Sequence, residues 1–205
     1  MSNDCGMTRS SPRERIIESA RDLFRKHGLR GVGVDAIAEA AGTNKMTLYR
    51  HFGSKDELIA ACLSRAGEEA QEDWSDLSAQ FPGDARKQLH AWIQMATACA
   101  LDDPRGCDIA NAAVELTEAD HPARKVIEQF KTDYRNRLAE LCSQAGAGEA
   151  DLLADALCLL MEGARVSWQS VGPNGPASHF VRISEAVVEA FTRQSRDEHL
   201  VQPPA

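Results

Sequence analysis

The sequence predicts an all-α protein, on three observations. Apolar residues recur at the three- and four-residue spacing of amphipathic helices. Glycine and proline cluster at the junctions between these periodic segments, and no segment alternates apolar and polar residues as a half-buried strand does. We expect about nine helices: three in an N-terminal part, a fourth that links it to the rest, and five in a C-terminal bundle.

The start of the first helix is marked by Ser11–Glu14, which combines a capping hydroxyl, a proline in the first turn and a capping-box glutamate. Gly28 is expected to end this helix. A second capping box at Ser54–Glu57 opens the fourth helix, and a boundary follows near Phe81–Gly83.

Between these helices, the stretch Val34–Lys55 is typical of two short helices joined by a tight turn. Gly42 provides the stop, since glycine enters the left-handed region without a Cβ clash, and Asn44 is a good N-cap for a helix over 45–52. That helix has one inward pair, Leu48 and Phe52, while its other positions are polar, cationic or aromatic. In a helix-turn-helix such a second helix lies in the major groove of DNA.

The stretch resembles the DNA-binding domain of the tetracycline-repressor (TetR) family. Thirteen residues carry the pattern at fixed spacing: Ile37, Ala38, Ala41, Gly42, Thr47, Leu48, Tyr49, Arg50, His51, Phe52, Ser54, Lys55 and Leu58. The resemblance implies a helix-turn-helix DNA-binding domain over residues 1–53, and an effector-binding and dimerisation domain over 54–205. The sequence departs from the family pattern at Val32 and Gly33, because family members usually have hydroxyl side chains near the start of the second helix.

Roles on the reading helix are carried over from the resemblance. Lys45 and Met46 lie where family members touch base edges; lysine suits the acceptors of guanine, whereas methionine offers only apolar contact. Thr47, His51 and Lys55 resemble phosphate contacts, and Tyr49 spans a phosphate and a base methyl. Arg50 is the remaining cation of this DNA-binding set. Phosphate contacts fix the register and base contacts carry the sequence information.

The distribution of charge along the chain is consistent with DNA binding by the N-terminal part. Residues 1–66 hold 11 Lys and Arg against 8 Asp and Glu, a net charge of +3, whereas residues 67–205 carry −11. A mildly basic head on an acidic body is expected of a protein that meets phosphate with one end. No segment resembles a membrane span or an N-terminal signal, so we expect a cytoplasmic protein.

The body is expected to contain helices over 84–101, 107–117, 122–145, 150–170 and 177–193, with a disordered tail from Ser195. The last two helices are apolar on more than one face, so one side is expected to pack against a twin subunit, with a purely internal hairpin as the alternative. The candidate dimer contacts are Leu153, Ala156, Leu157, Leu160, Ala164, Phe180, Ile183, Val187 and Phe191.

A small-molecule effector, itself largely apolar, is expected to bind between the body helices, in a site that is mostly apolar with a few polar groups. The candidates are Trp92, Met95, Cys99, Asn111, Glu115, Phe130, Tyr134, Met161, Arg165 and Trp168. Asn111 and Glu115 are one helical turn apart on an apolar segment, and a buried Glu115 would need a cationic ligand or Arg165 as its partner. For any single apolar candidate a plain core role is favoured.

These features predict a homodimeric repressor that binds a palindromic operator in double-stranded DNA and is released by a small-molecule effector. Activation instead of repression is left open. The alternative is a thiol-based sensor or small-molecule carrier that uses Cys99 and Cys107. Catalysis is not expected, since the chain has no glycine-rich phosphate loop, G-x-S-x-G or H-E-x-x-H motif. We expect neither a metal nor a cofactor.

Overall fold

The computed structural model describes residues 10–101 and 106–201, with side chains up to Arg193. The described residues contain no strand, which confirms the predicted all-α class. Two short 3-10 turns, Gly172–Asn174 and Pro176–His179, precede the last helix. The helices are α1 Pro12–His27, α2 Val34–Ala40, α3 Lys45–Phe52, α4 Lys55–Gln80, α5 Ala85–Leu101, α6 Asp108–Glu115, α7 Pro122–Gln144, α8 Ala150–Val171 and α9 Phe180–Val201.

Helix α1 begins as its sequence predicts. The Glu14 backbone N–H donates to Ser11 Oγ at 3.2 Å, and the Ser11 N–H donates back to Glu14 Oε2 at 2.8 Å. These bonds hold the pKa of the Glu14 carboxyl below its usual value. Two backbone donors that the helix itself leaves unpaired are thereby satisfied.

Two helix ends differ from the prediction. Helix α6 stops at Glu115 instead of Thr117, and the carbonyl of the next residue, Leu116, accepts a hydrogen bond from Arg124 Nη1 at 2.7 Å. Helix α9 continues to Val201, so the disorder predicted from Ser195 is wrong for the described part of that tail. No glycine or proline interrupts the sequence before Pro203.

The chain divides into two compact units. The first contains the described residues through Arg65 together with Glu115–Val126, and the second contains Ala66–Val114 and the residues from Ile127 onward. Each unit has its own apolar core. In the first, the fully buried side chains include Ile16, Ala20, Ile37, Leu48 and Leu58; in the second, they include Trp92, Leu138, Cys142, Leu153 and Leu157.

Candidate nucleic-acid interface

Helix α3 is attached to the first unit by two side chains. Leu48 is completely buried and Phe52 is 8% exposed. The guanidinium of Arg13 on α1 lies over the Phe52 ring, 5.4 Å from its centroid, a cation–π contact. At the other end, Asn44 accepts a hydrogen bond from the Thr47 N–H at 2.9 Å and caps the helix. The four-residue spacing of the inward pair therefore fixes which face of α3 points outward.

The outward face contains the residues predicted to contact DNA. Met46 is 78% exposed and Tyr49 37% exposed, so both side chains are accessible to a partner. Arg50 and His51 are also exposed, and Thr47 and Lys55 are partly buried. This face combines cations, hydrogen-bond donors and apolar contact surface, as a base edge and a phosphate backbone both require.

Lys45 has a contact that the sequence reasoning missed. Its Nζ lies 3.2 Å from Asp35 Oδ2 on α2, and both side chains are at least half exposed. An exposed ion pair of this kind contributes little to stability, so it does not prevent Lys45 from binding another acceptor.

Glu115, one of the effector-site candidates, has its hydrogen-bond partners in the first unit. Its carboxylate accepts hydrogen bonds from the backbone N–H groups of Leu29 (3.0 Å) and Arg30 (2.9 Å), in the turn after α1. Arg30 also pairs with Glu118 at 2.8 Å. Glu115 therefore secures the first unit and needs neither a cationic ligand nor Arg165.

Four other effector candidates meet in the interior of the second unit, around one hydroxyl. The indole N–H of Trp92 donates to Tyr134 Oη at 3.0 Å, and that hydroxyl points to Met161 Sδ at 4.0 Å. The Phe130 ring lies 5.7 Å from the Tyr134 ring. Burial raises the pKa of the Tyr134 phenol well above its ordinary value, although the Trp92 hydrogen bond and the positive charge of Arg165 oppose this shift. The phenol is therefore neutral at physiological pH.

Trp74 of α4 belongs to the same cluster, and the sequence reasoning did not find it. Its ring meets Tyr134 edge-on with centroids 5.4 Å apart, and the Arg137 guanidinium lies 5.3 Å from its centroid on another side. Trp74 follows a run of acidic residues that suggested a solvated helix face. The spacing of Trp74 and Leu77, both buried, was the signal that would have identified an inward stripe.

The remaining effector candidates are less closely grouped. Met95 and Trp168 are partly buried against the core of the second unit. Cys99 and Asn111 are exposed. None of the described cysteines, Cys99 and Cys107 included, forms a disulfide bond. Burial raises the pKa of the Cys142 thiol to about 12.

Among the dimer candidates, Leu153 and Leu157 are completely buried in the core of the second unit, so they pack inside the protomer and cannot reach a partner directly. The other seven lie along α8 and α9. A surface hollow of about 500 Å³ is lined by Ala156, Leu160, Ala164, Phe180, Ile183 and Val187 of this set. Leu159 borders the same hollow and is 73% exposed, although the sequence reasoning did not select it.

Two other kinds of site were sought in the described part of the chain. No group of histidine, cysteine and carboxylate side chains there is arranged to hold a metal ion. None of the helices described is long and apolar enough to cross a bilayer.

Comparisons with known proteins agree with this geometry. Residues 16–62 match the family model described as bacterial regulatory proteins, tetR family. The chain is 28% identical over 172 residues to the transcriptional repressor DhaR of Mycobacterium sp. (strain GP1), covering 80% of this chain and 81% of that protein. It is 24% identical over 159 residues to the transcriptional regulator LmrA of Bacillus subtilis, covering 74% and 84%. A crystal structure of a TetR-family transcriptional regulator from Streptomyces coelicolor superposes with a TM-score of 0.80 at 26% identity, covering 88% of this chain and 96% of that one.

Proposed function

This chain belongs to the TetR family of bacterial regulatory proteins and is a DNA-binding transcriptional regulator; from that premise we propose that it is a repressor, which binds a palindromic operator as a homodimer and is released by a small-molecule effector. The observation that supports this most strongly is the exposed face of α3, where Met46 and Tyr49 stand beside Arg50 and His51. The protein acts in the cytoplasm, where its DNA is, and has no catalytic role.

In this proposal residues 1–53 are the DNA-binding domain, and residues from 54 onward link and control it. Lys45 and Met46 read base edges from the start of α3. Thr47, His51 and Lys55 contact phosphates, and Tyr49 spans a phosphate and a thymine methyl. The backbone N–H groups at the start of α2 add a phosphate contact without a side chain, since Gly33 caps that helix with none.

A second copy is proposed to cover the hollow on α8 and α9. Leu159 and Ile183 are exposed there, and an apolar patch of this kind usually marks an interface. Two-fold symmetry pairs the same patch on both copies and gives two reading helices. They would enter successive major grooves about 34–36 Å apart, which is the reason for a palindromic operator.

The effector is proposed to bind among the aromatic side chains around Tyr134. It favours one conformation of the dimer over another, and it shifts DNA binding only by the difference between its affinities for the two. Cys99 stays a candidate for this site, and its pairing with Cys107 as a thiol switch stays an untested alternative.

The test uses a duplex from the DNA upstream of the coding sequence and a fluorescence-anisotropy titration. Tyr49→Ala and Lys55→Ala are each expected to weaken binding about tenfold, and Lys55→Ala should also lower the salt slope by about one. Arg182→Ala, on the exposed surface of α9, is the control and should bind as the parent does.

Sedimentation of each variant checks that the dimer is intact, so that a loss of affinity is assigned to the DNA face. Parent-like affinity in both the Tyr49 and the Lys55 variants would reject that face. A monomeric parent chain would reject the two-fold arrangement.

A further inference from the structure

Arg165 is a buried cation without an adequate partner. Its side chain is 11% exposed, and its nearest carboxylate oxygen, Glu162 Oε1, is 3.5 Å from Nη1, at the outer limit of a hydrogen bond. The Arg165 Nε atom is buried and has no hydrogen-bond partner among the described residues. Glu162 is also engaged by Lys131 Nζ and is itself about one-third exposed. The charge on Arg165 is therefore poorly compensated, which is costly in a protein interior.

A second unpaired donor lies in the same cluster. The indole N–H of Trp74 is buried and has no hydrogen-bond partner among the described residues. The Tyr134 hydroxyl, on the neighbouring ring, is already used by Trp92 and Met161. Arg165 follows Met161 by one turn of α8, and Met161 Sδ lies 4.0 Å from the Tyr134 hydroxyl. The positive charge of Arg165 also acts to lower the pKa of that phenol. The aromatic cluster around Tyr134 therefore includes two hydrogen-bond donors without a partner among the described residues, the Trp74 indole N–H and Arg165 Nε, and the positive charge of Arg165.

Glu115, which the sequence suggested as a possible partner of Arg165, is not available to it. Glu115 is bonded to two backbone N–H groups of the first unit. A buried polar group without a partner calls for an explanation, and two buried donors beside four aromatic rings favour an acceptor that arrives with a ligand. An anion satisfies both the hydrogen-bonding capacity and the charge of Arg165, whereas a neutral ligand satisfies only the first.

We propose that the effector is a carboxylate on a flat, apolar ring system, held by a charge-assisted hydrogen bond from Arg165 and by ring contacts with Trp92, Phe130 and Tyr134. This inference rests on the proposed function, because it gives the chemical class of the effector expected at that site. A buried Glu115 would have needed either a cationic ligand or Arg165 as its partner, whereas Arg165 itself calls for an anionic group on the ligand.

The experiment compares acids with their neutral isosteres on the full-length, DNA-free protein. Benzoate and 2-naphthoate are titrated against benzamide and 2-naphthamide, and binding is followed by tryptophan fluorescence, since Trp74 and Trp92 lie at the site. At least one acid should bind tenfold or more tightly than its amide. Arg165→Met should remove that preference while leaving the affinity for the amide within twofold, and Arg165→Lys should restore part of it.

Arg182→Met is the matched control, because it removes an exposed arginine of the same unit and should leave the preference intact. If no acid binds better than its amide, or if Arg165→Met keeps the preference, the inference is overturned. DNA binding is measured separately with the upstream duplex. Acid binding without DNA binding would reject the proposed function and keep this site. DNA binding without a preference for acids would reject this site and keep the proposed function.

Discussion

The two units place their functional chemistry in opposite positions. The first unit buries apolar side chains and presents its cations, its phenol and its imidazole outward on α3. The second unit encloses Trp74, Tyr134 and Arg165 among apolar neighbours. An outward face can be read from one helix, because its exposure follows from helical spacing alone. An enclosed cluster depends on which helices meet, and four separate helices contribute to this one.

This difference explains what the sequence could predict. The outward positions of α3 follow from Leu48 and Phe52, which are local neighbours, so the exposure of the candidate DNA-contact residues could be predicted from this helix alone. The hydrogen bonds of Glu115 could not be predicted, because its partners, Leu29 and Arg30, are 86 and 85 residues away in the chain. Periodicity on one helix carries no information about such a contact.

The exposure of the candidate dimer residues on α8 was only partly predictable for a related reason. Helix α8 is apolar on several sides, so spacing does not tell which leucines face the core and which face outward. Leu153 and Leu157 are completely buried, whereas Leu159 is 73% exposed. Only the position of the neighbouring helices separates these residues.

The largest effect is expected from Gly31→Ala, which would break the first unit at its tightest point. A Cβ atom on Gly31 would lie 2.2 Å from the backbone carbonyl oxygen of His27, which cannot move aside cheaply. We expect a loss of roughly 1–3 kcal/mol or more in the free energy of unfolding, measured with urea. Gly33→Ala is the control, since nothing lies within 4 Å of its Cβ position. Equal stability of the two variants would contradict this packing.

Glu115→Ala comes next and tests whether the first unit depends on its second chain segment. It leaves the Leu29 and Arg30 N–H groups without their carboxylate, at a cost of about 1–3 kcal/mol. Hydrogen exchange of those two amides should accelerate, and Glu115→Gln should retain part of the protection. Glu118→Ala, which removes the exposed ion pair with Arg30 and leaves the carboxylate of Glu115 in place, should leave the exchange of Leu29 unchanged. Slow exchange in Glu115→Ala would show that the carboxylate is dispensable.

Tyr134→Phe compares the two units with one substitution. It removes the acceptor of the Trp92 N–H, whose side chain is completely buried, so a cost of about 1–2 kcal/mol is expected. Tyr49→Phe makes the same change on the exposed face of α3 and should alter unfolding by less than about 0.5 kcal/mol. Urea titration followed by circular dichroism measures both. The comparison fails if the two variants lose the same amount.

The smallest effect is expected from Gly33→Ser, which supplies the missing hydroxyl at the start of α2. Serine is a better N-cap than glycine by a few tenths of a kcal/mol, and the site has room for its side chain. The midpoint of thermal unfolding should rise slightly above that of the parent and above Gly33→Ala. A midpoint no higher than that of Gly33→Ala would mean that the serine does not cap the helix.

The return of Glu115–Val126 to the first unit bears on how this regulator can be engineered. The first unit does not end at Arg65, because the later segment Glu115–Val126 also belongs to it. A chimaera that joins only the N-terminal segment to the effector domain of another protein would lose the Glu115 carboxylate. It would also lose the hydrogen bond from Arg124 to the carbonyl of Leu116. A chimaera that carries both segments would keep the first unit intact. It is therefore the better starting point for making the protein respond to a different effector.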